Sequence, residues 1–220
     1  MPSSTSNRRP IKSRDAKLAS KAAIWLNQKG FTPNQISIAS VLFALFGAMN
    51  LFLWTWIENP LQHVFPLFAL IGIQGRLVCN LLDGMVAIEG GKSTRSGELF
   101  NDIPDRIADC LLFIAAGYAA STFISWAYLI GYFAAIFAVL TAYVRVLGAS
   151  MGAPVSFRGP MAKQHRMAVL SFMCLMSCFE PIWWEKGIAF FIGIMIIMLG
   201  SLLTTWLRIK DIYDFFEKTA

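Results

Sequence analysis

Six stretches of this chain stay apolar for close to the length of a bilayer crossing, and that repetition restricts the fold more than any other feature. They lie near 34–57, 65–88, 98–119, 124–147, 167–179 and 187–207. A helix needs ~20 mostly apolar residues to cross the hydrocarbon layer. The fifth stretch is short, so its helix is expected to begin nearer Lys163 or to be extended by Phe179 to Trp184. Only 15% of the residues are charged and mean hydropathy is +0.57, whereas soluble domains carry roughly 25% charge. A soluble helical protein would need helices apolar on every face. The expected class is therefore all-α, a polytopic membrane protein with six transmembrane helices.

The charges agree with that class. Seven basic residues precede the first span, two follow the second (Lys92 and Arg95), three follow the fourth (Arg158, Lys163 and Arg166), and three follow the sixth (Arg208, Lys210 and Lys218). The opposite side has only Lys186, while Arg76, Arg106 and Arg145 fall within spans. Basic residues collect on the cytoplasmic side, so both termini and the link after span two are expected there, in an inner or cytoplasmic membrane. The net charge of +6 flanks membrane segments and points to anionic lipid headgroups, not to nucleic acid. No cleavable signal sequence is expected in the long basic start. Residues 13–28 read as an amphipathic helix on the membrane surface. The expected organisation is a basic segment over 1–30, a six-helix domain over 31–208 and a cytoplasmic tail over 209–220. Cys79, Cys110, Cys174 and Cys178 lie in or beside apolar runs without a C-x-x-C pair, so they read as small core residues.

One segment breaks the apolar pattern. NLLDGMVAIEGGKSTRSGELFNDIPDRIAD, residues 80–109, puts acids and amides at the ends of two spans. Asn80 and Asp83 are three apart and share a helical face, while Asn101, Asp105 and Asp109 are spaced at four and form another. The link EGGKSTRSG would hold these faces close, with Gly84, Gly90, Gly91 and Gly97 permitting a turn and near contact. Carboxylates are costly in hydrocarbon unless they face a cavity or partner. Two faces of oxygen donors suit a hard cation, Mg²⁺ or Mn²⁺, and such ions commonly serve phosphoryl chemistry. Other readings stay open. Pro104 and the acids at 102, 105 and 109 would also suit a solvated helix start, with Asp102 near an N-cap. Asp109 could be a structural partner of nearby Arg106, and Glu89 and Glu98 read as loop or helix-end residues.

Basic residues further on extend the phosphate theme. Arg145 lies deep in TAYVRVLGASMG, and SFRGPMAKQHRM brings Arg158, Lys163, His165 and Arg166. Folded beneath the bundle, they would line a cationic phosphate pocket. The alternatives are that Arg145 neutralises a membrane aspartate and that the others mark topology. Arg76 would either snorkel or pair internally.

The segment resembles the CDP-alcohol phosphotransferase superfamily, whose pattern is D-x2-D-G-x2-A-R-x8-G-x3-D-x3-D. Laid on this chain, the pattern falls on Asn80, Asp83, Gly84, Ala87, Ile88, Gly97, Asn101 and Asp105 with every spacing kept. FTPNQIS, YVRVLGASMG and GPMAKQHRM are also similar to family segments. Asparagine stands at the first and third family aspartates, and Ile88 at the arginine.

The resemblance implies a surface helix plus six spans, a homodimer, and a transferase of phospholipid biosynthesis. It would move a phosphatidyl or phospho-alcohol group from a CDP-linked donor such as CDP-diacylglycerol to a small or phosphorylated alcohol, releasing CMP. Asp105 would be the catalytic base. Asp83, Asp105, Asn80 and Asn101 would hold Mg²⁺ or Mn²⁺, with Asp102 and Asp109 compensating for the two missing charges. Asn80, Asp83, Gly84, Ala87, Gly97 and Lys92 would meet the nucleotide, and Arg145, Arg158, Lys163 and Arg166 the phosphate or acceptor. The alternatives are a phosphoryl-transfer enzyme with another donor, or a non-catalytic lipid- or nucleotide-binding membrane protein on the same scaffold.

Overall fold

The computed structural model describes residues 17–58, 60–91 and 96–219. Among them there are helices and connecting turns, and no strand. Helix α1 (Lys17–Gln28) precedes two long apolar helices, α2 (Pro33–Trp56) and α3 (Val64–Glu89). Then come α4 (Gly97–Ala120), α5 (Tyr128–Ser150), α6 (Lys163–Ser177), the single turn α7 (Glu180–Trp183) and α8 (Ile188–Thr219).

Local chemistry sets the boundaries. The Thr32 hydroxyl accepts from the Gln35 amide at 3.3 Å, and Gln35 Oε1 accepts from the Thr32 amide at 3.0 Å. With Pro33 in the first turn, this reciprocal cap starts α2. Helix α4 begins at Gly97 after Ser96, so Asp102 and Pro104 lie inside it and not at its start. Helix α5 begins later than expected because residues 121–127 form turns and a 3-10 segment. Helix α6 does begin at Lys163.

Four helical segments, 33–56, 64–88, 125–150 and 188–218, are long and apolar enough to cross a membrane, which makes this an integral membrane protein. Helix α4 has comparable length, 24 residues, but it carries Asp102, Asp105, Arg106 and Asp109. Helix α6 has 15 residues. Both are packed within the bundle: α4 touches α2, α5 and α8, and α6 touches α3 and α8.

Small residues bring the helices together, as membrane packing requires where lipid is as apolar as the core. A Cβ at Gly72 of α3 would stand 2.7 Å from the Gly47 nitrogen and the Phe43 carbonyl oxygen of α2. Gly117 and Gly131 make an equivalent crossing between α4 and α5. Ala108, Ala115, Ala116, Ala134 and Ala138 fill the buried layer between them. Helix α1 lies against α3, with Ala23 buried beside Cys79, Leu82 and Val86, while Leu18 and Trp25 are exposed.

No structural break occurs at residue 208. Helix α8 runs 32 residues, ~48 Å at 1.5 Å per residue, well past a ~30 Å hydrocarbon layer. Its polar end stays docked because Arg208 donates to the Thr141 carbonyl at 2.6 Å and to the Arg158 carbonyl at 3.2 Å. The expected separate tail is thus the last three turns of a membrane helix.

Candidate functional site

The end of α3, the beginning of α4 and the beginning of α6 meet at one end of the bundle. On α3, Asn80 and Asp83 lie one turn apart with Arg76 one turn earlier. Asp83 is buried and its Oδ2 accepts from the Ser37 hydroxyl of α2 at 2.7 Å. On α4, Asp105 is buried, and its Oδ1 accepts from Asn80 Nδ2 at 2.8 Å and from Arg76 at 3.4 Å. Its Oδ2 meets the Lys163 ammonium of α6. Both Asp105 and Lys163 lie within electrostatic reach of Asp83. Three helices therefore bring two carboxylates, one amide and one ammonium together at this end of the bundle. At Gly84, next to Asp83, there is open space: an added Cβ would meet nothing within 4 Å.

One turn deeper, Asp109 is fully enclosed. Its Oδ1 accepts from Arg76 at 2.7 Å and its Oδ2 from Arg166 at 2.9 Å, with all three side chains at most 2% exposed. Arg166 also donates to Thr141 Oγ1 at 3.2 Å and the Met161 carbonyl at 3.0 Å. This cross-link ties α3, α4 and α6 together beneath the carboxylates. It corrects two expectations. Asp109 has both oxygens engaged by guanidinium groups and none aimed at an ion, while Arg166 is sealed into the bundle and does not face a phosphate pocket.

The other expected residues separate in the same way. Asp102 points to Arg106 at 3.1 Å and to Arg145 at 3.5 Å, on the half-exposed rim, so it compensates arginines where a compensating metal ligand was expected. Asn101 is exposed one turn before Asp105. Arg158 pairs with Asp211 of α8 at 2.7 Å, and Ser156 donates to the other Asp211 oxygen at 2.8 Å, which takes Arg158 away from the site. Ala87 is half-buried one turn beyond Asp83, and Gly97 opens α4. Lys92 lies outside the described residues. Ser37 was not anticipated, and nothing in FTPNQIS singles it out from its neighbours.

Among the described residues no three His, Cys, Asp or Glu side chains group to hold a metal ion. The groups that do come together are the carboxylates of Asp83 and Asp105 and the Asn80 amide, which donates to Asp105, with the Lys163 ammonium standing as a cation against Asp105. That set fits one hard ion, since Mg²⁺ is commonly held by one or two carboxylates and completed by waters and substrate phosphates.

Known proteins share this plan. Inner membrane protein YnbA of Escherichia coli is 24% identical over 188 residues, which cover 84% of this chain and 85% of that protein. The crystal structure of Mycobacterium tuberculosis phosphatidylinositol phosphate synthase (PgsA1) with CDP-DAG bound superposes with a TM-score of 0.74 at 18% identity, covering 90% of this chain and 94% of that one. The same enzyme in complex with manganese and citrate gives 0.73 at 18% identity, covering 89% and 88%. The sequence model of the CDP-alcohol phosphatidyltransferase family matches residues 31–207, nearly the whole of the described bundle. By that match the chain belongs to the CDP-alcohol phosphatidyltransferase family and is a membrane-embedded transferase.

Proposed function

We propose that the protein transfers a phosphatidyl group from CDP-diacylglycerol or a closely related CDP-linked lipid to an alcohol, releasing CMP, with Asp83 and Asp105 at the reaction centre. The observation that carries this reading is the meeting of two buried carboxylates from separate helices with Asn80 and Lys163, beside the open space at Gly84. The bundle is read as six crossings, with α4 and α6 as its charged and short members. The basic-residue distribution supports a reading with both termini and this site on the cytoplasmic side.

A single Mg²⁺ or Mn²⁺ held by Asp83, Asp105 and the Asn80 carbonyl would polarise the phosphoryl oxygens and offset the charge on the departing CMP. The protein's own groups do the rest. Asn80 and Arg76 fix the Asp105 carboxylate through its Oδ1. Lys163 sits on a flexible stem and can pass from Oδ2 of Asp105 to a substrate phosphate, which frees that oxygen to receive a proton. The alcohol O–H then gives its proton to Asp105 as the oxygen attacks the β-phosphorus, and the bond to the CMP oxygen breaks. Arg145 is half-exposed and only loosely bound to Asp102 at 3.5 Å, so its guanidinium remains able to grip a second phosphate. A phosphate-bearing acceptor fits this placement.

The test is CMP release by purified protein given Mg²⁺ or Mn²⁺, CDP-diacylglycerol and a panel of alcohols, phosphorylated and not. Asp105→Asn is expected to reduce the rate by about 10²–10⁴, the usual worth of a general base. Unchanged turnover in that variant would remove Asp105 from the base role. Absence of CMP release with every acceptor would overturn the assignment of the donor.

A further inference from the structure

At the opposite end of the bundle lies a cavity of about 210 Å³, lined by Trp54, Gln62, His63, Ser177, Glu180 and Lys186. His63 directly precedes α3, and Asp83 follows it twenty positions later, ~30 Å along the helix and about one hydrocarbon thickness. The cavity and the transfer site therefore face opposite membrane surfaces.

Its polar groups are buried but incompletely matched. Trp54 and Glu180 are each 1% exposed. The Glu180 carboxylate accepts from the Gly187 amide at 2.9 Å and the Ala189 amide at 2.7 Å. The Lys186 ammonium lies 5.0 Å from the Trp54 ring centroid and donates to the Ile57 carbonyl at 3.1 Å. Trp54 Nε1 and His63 Nδ1 are buried without a hydrogen-bond partner in the protein. An indole N–H can only donate, so Trp54 calls for an acceptor that the chain does not supply. Burial pushes the Glu180 carboxyl above the usual glutamate range and the Lys186 ammonium below the usual lysine range.

We propose that this cavity binds the headgroup of an amine-bearing zwitterionic phospholipid, the phosphate against Lys186 and the Trp54 N–H, the ammonium against Glu180 and His63. The adjoining surface carries exposed Trp56, Phe179, Ile182 and Trp184, and tryptophans gather at headgroup depth, where a lipid enters from the side. The cavity offers one group of each sign. An anionic glycerol headgroup would answer Lys186 and offer Glu180 only neutral hydroxyl donors in place of an ammonium. A choline headgroup has no N–H to give Glu180 or His63. A volume of about seven waters, at ~30 Å³ each, suits a phosphoethanolamine-sized group.

Native mass spectrometry of the delipidated full-length protein, titrated separately with phosphatidylethanolamine, phosphatidylglycerol and phosphatidylcholine, tests this. Phosphatidylethanolamine is expected to be retained about tenfold more tightly than the other two, the worth of one charge-assisted hydrogen bond. Glu180→Gln should reduce it to the level of phosphatidylglycerol, and Lys186→Met should weaken both lipids. Trp54→Phe, which keeps a ring and removes the N–H, should weaken all three lipids, since each carries the phosphate that the N–H meets, and should lower the lipid-free melting temperature by the packing it removes. Should Glu180→Gln fail to fold for want of its backbone contacts, the wild-type lipid series and Trp54→Phe decide alone. Soluble phosphoethanolamine is expected not to displace the lipid; displacement at matched concentration would make the free headgroup the ligand and overturn the lipid assignment. Equal retention of the three lipids by the wild type, or lipid affinities left unchanged by Trp54→Phe, would also overturn the proposal.

Discussion

Replacing Asp109 by asparagine should unfold this protein far more readily than the same change at Asp102, seven residues earlier on the same helix. Asp109 lies between Arg76 and Arg166 at 2.7 and 2.9 Å, in a setting with almost no solvent. Removal of its charge leaves two buried guanidinium groups without their shared counter-ion, and Arg76 Nε and Nη1 and Arg166 Nε are already unpartnered. Breaking a buried ion pair on one side costs about 3–5 kcal/mol. In a chain of this size each kcal/mol moves the melting temperature about 2–4 °C, so Asp109→Asn should melt about 6–20 °C lower. Asp102 also meets two arginines, but its side chain is 39% exposed. Its pairs are worth about 1 kcal/mol or less, so Asp102→Asn should melt within a few degrees of wild type. The assay is thermal unfolding in one detergent, followed by tryptophan fluorescence at a fixed scan rate. Adding Arg166→Met to Asp109→Asn removes a stranded cation and should give a smaller loss than the two single changes combined. Equal melting of Asp109→Asn and Asp102→Asn would refute the claim that the enclosed triad holds the three helices together.

Three further outcomes are expected. Gly84→Ala should leave the melting temperature unchanged, because the new methyl meets no atom, yet raise KM for the CDP-linked donor; unchanged kinetics would mean that the nucleotide does not use that space. Gly72→Ala should destabilise by about 1–3 kcal/mol, as overpacking does, because its methyl would strike α2 backbone that cannot swing aside; a neutral melting shift would show that the two helices separate freely. Asn80→Asp with Asn101→Asp should add anionic ligands and tighten Mn²⁺ binding measured by titration calorimetry, and unaltered affinity would remove Asn80 from the ion's ligands.

The apolar runs made the helices legible, because a membrane crossing demands a length that sequence shows directly. Boundaries moved where caps and turns intervene, as at Thr32 before α2 and at residues 121–127 before α5. That Asp83 and Asp105 come within electrostatic reach of each other was also legible, since each lies on a helix face at a span end. What the pattern could not rank was the partner of each charge. Arg76 could have snorkelled, but its depth in α3 brings it to Asp109. Lys163 and Arg166 are three residues apart on α6, and the level of α4 that each reaches separates them: Asp105 for one, Asp109 a turn deeper for the other. Arg158 was drawn off by Asp211, a residue of the segment read as a cytoplasmic tail. Glu180 gave no periodic signal, because its partners are backbone amides of the following turn.

The grip of α8 on the α5–α6 connection has an engineering consequence. Through Asp211 and Arg208 the C-terminal helix works as a splint along residues 153–162, the leash from which Lys163 reaches Asp105. A truncation after residue 207, chosen because the family match stops there, would remove the splint and leave the leash slack. Purification tags belong beyond residue 219, or at the other terminus.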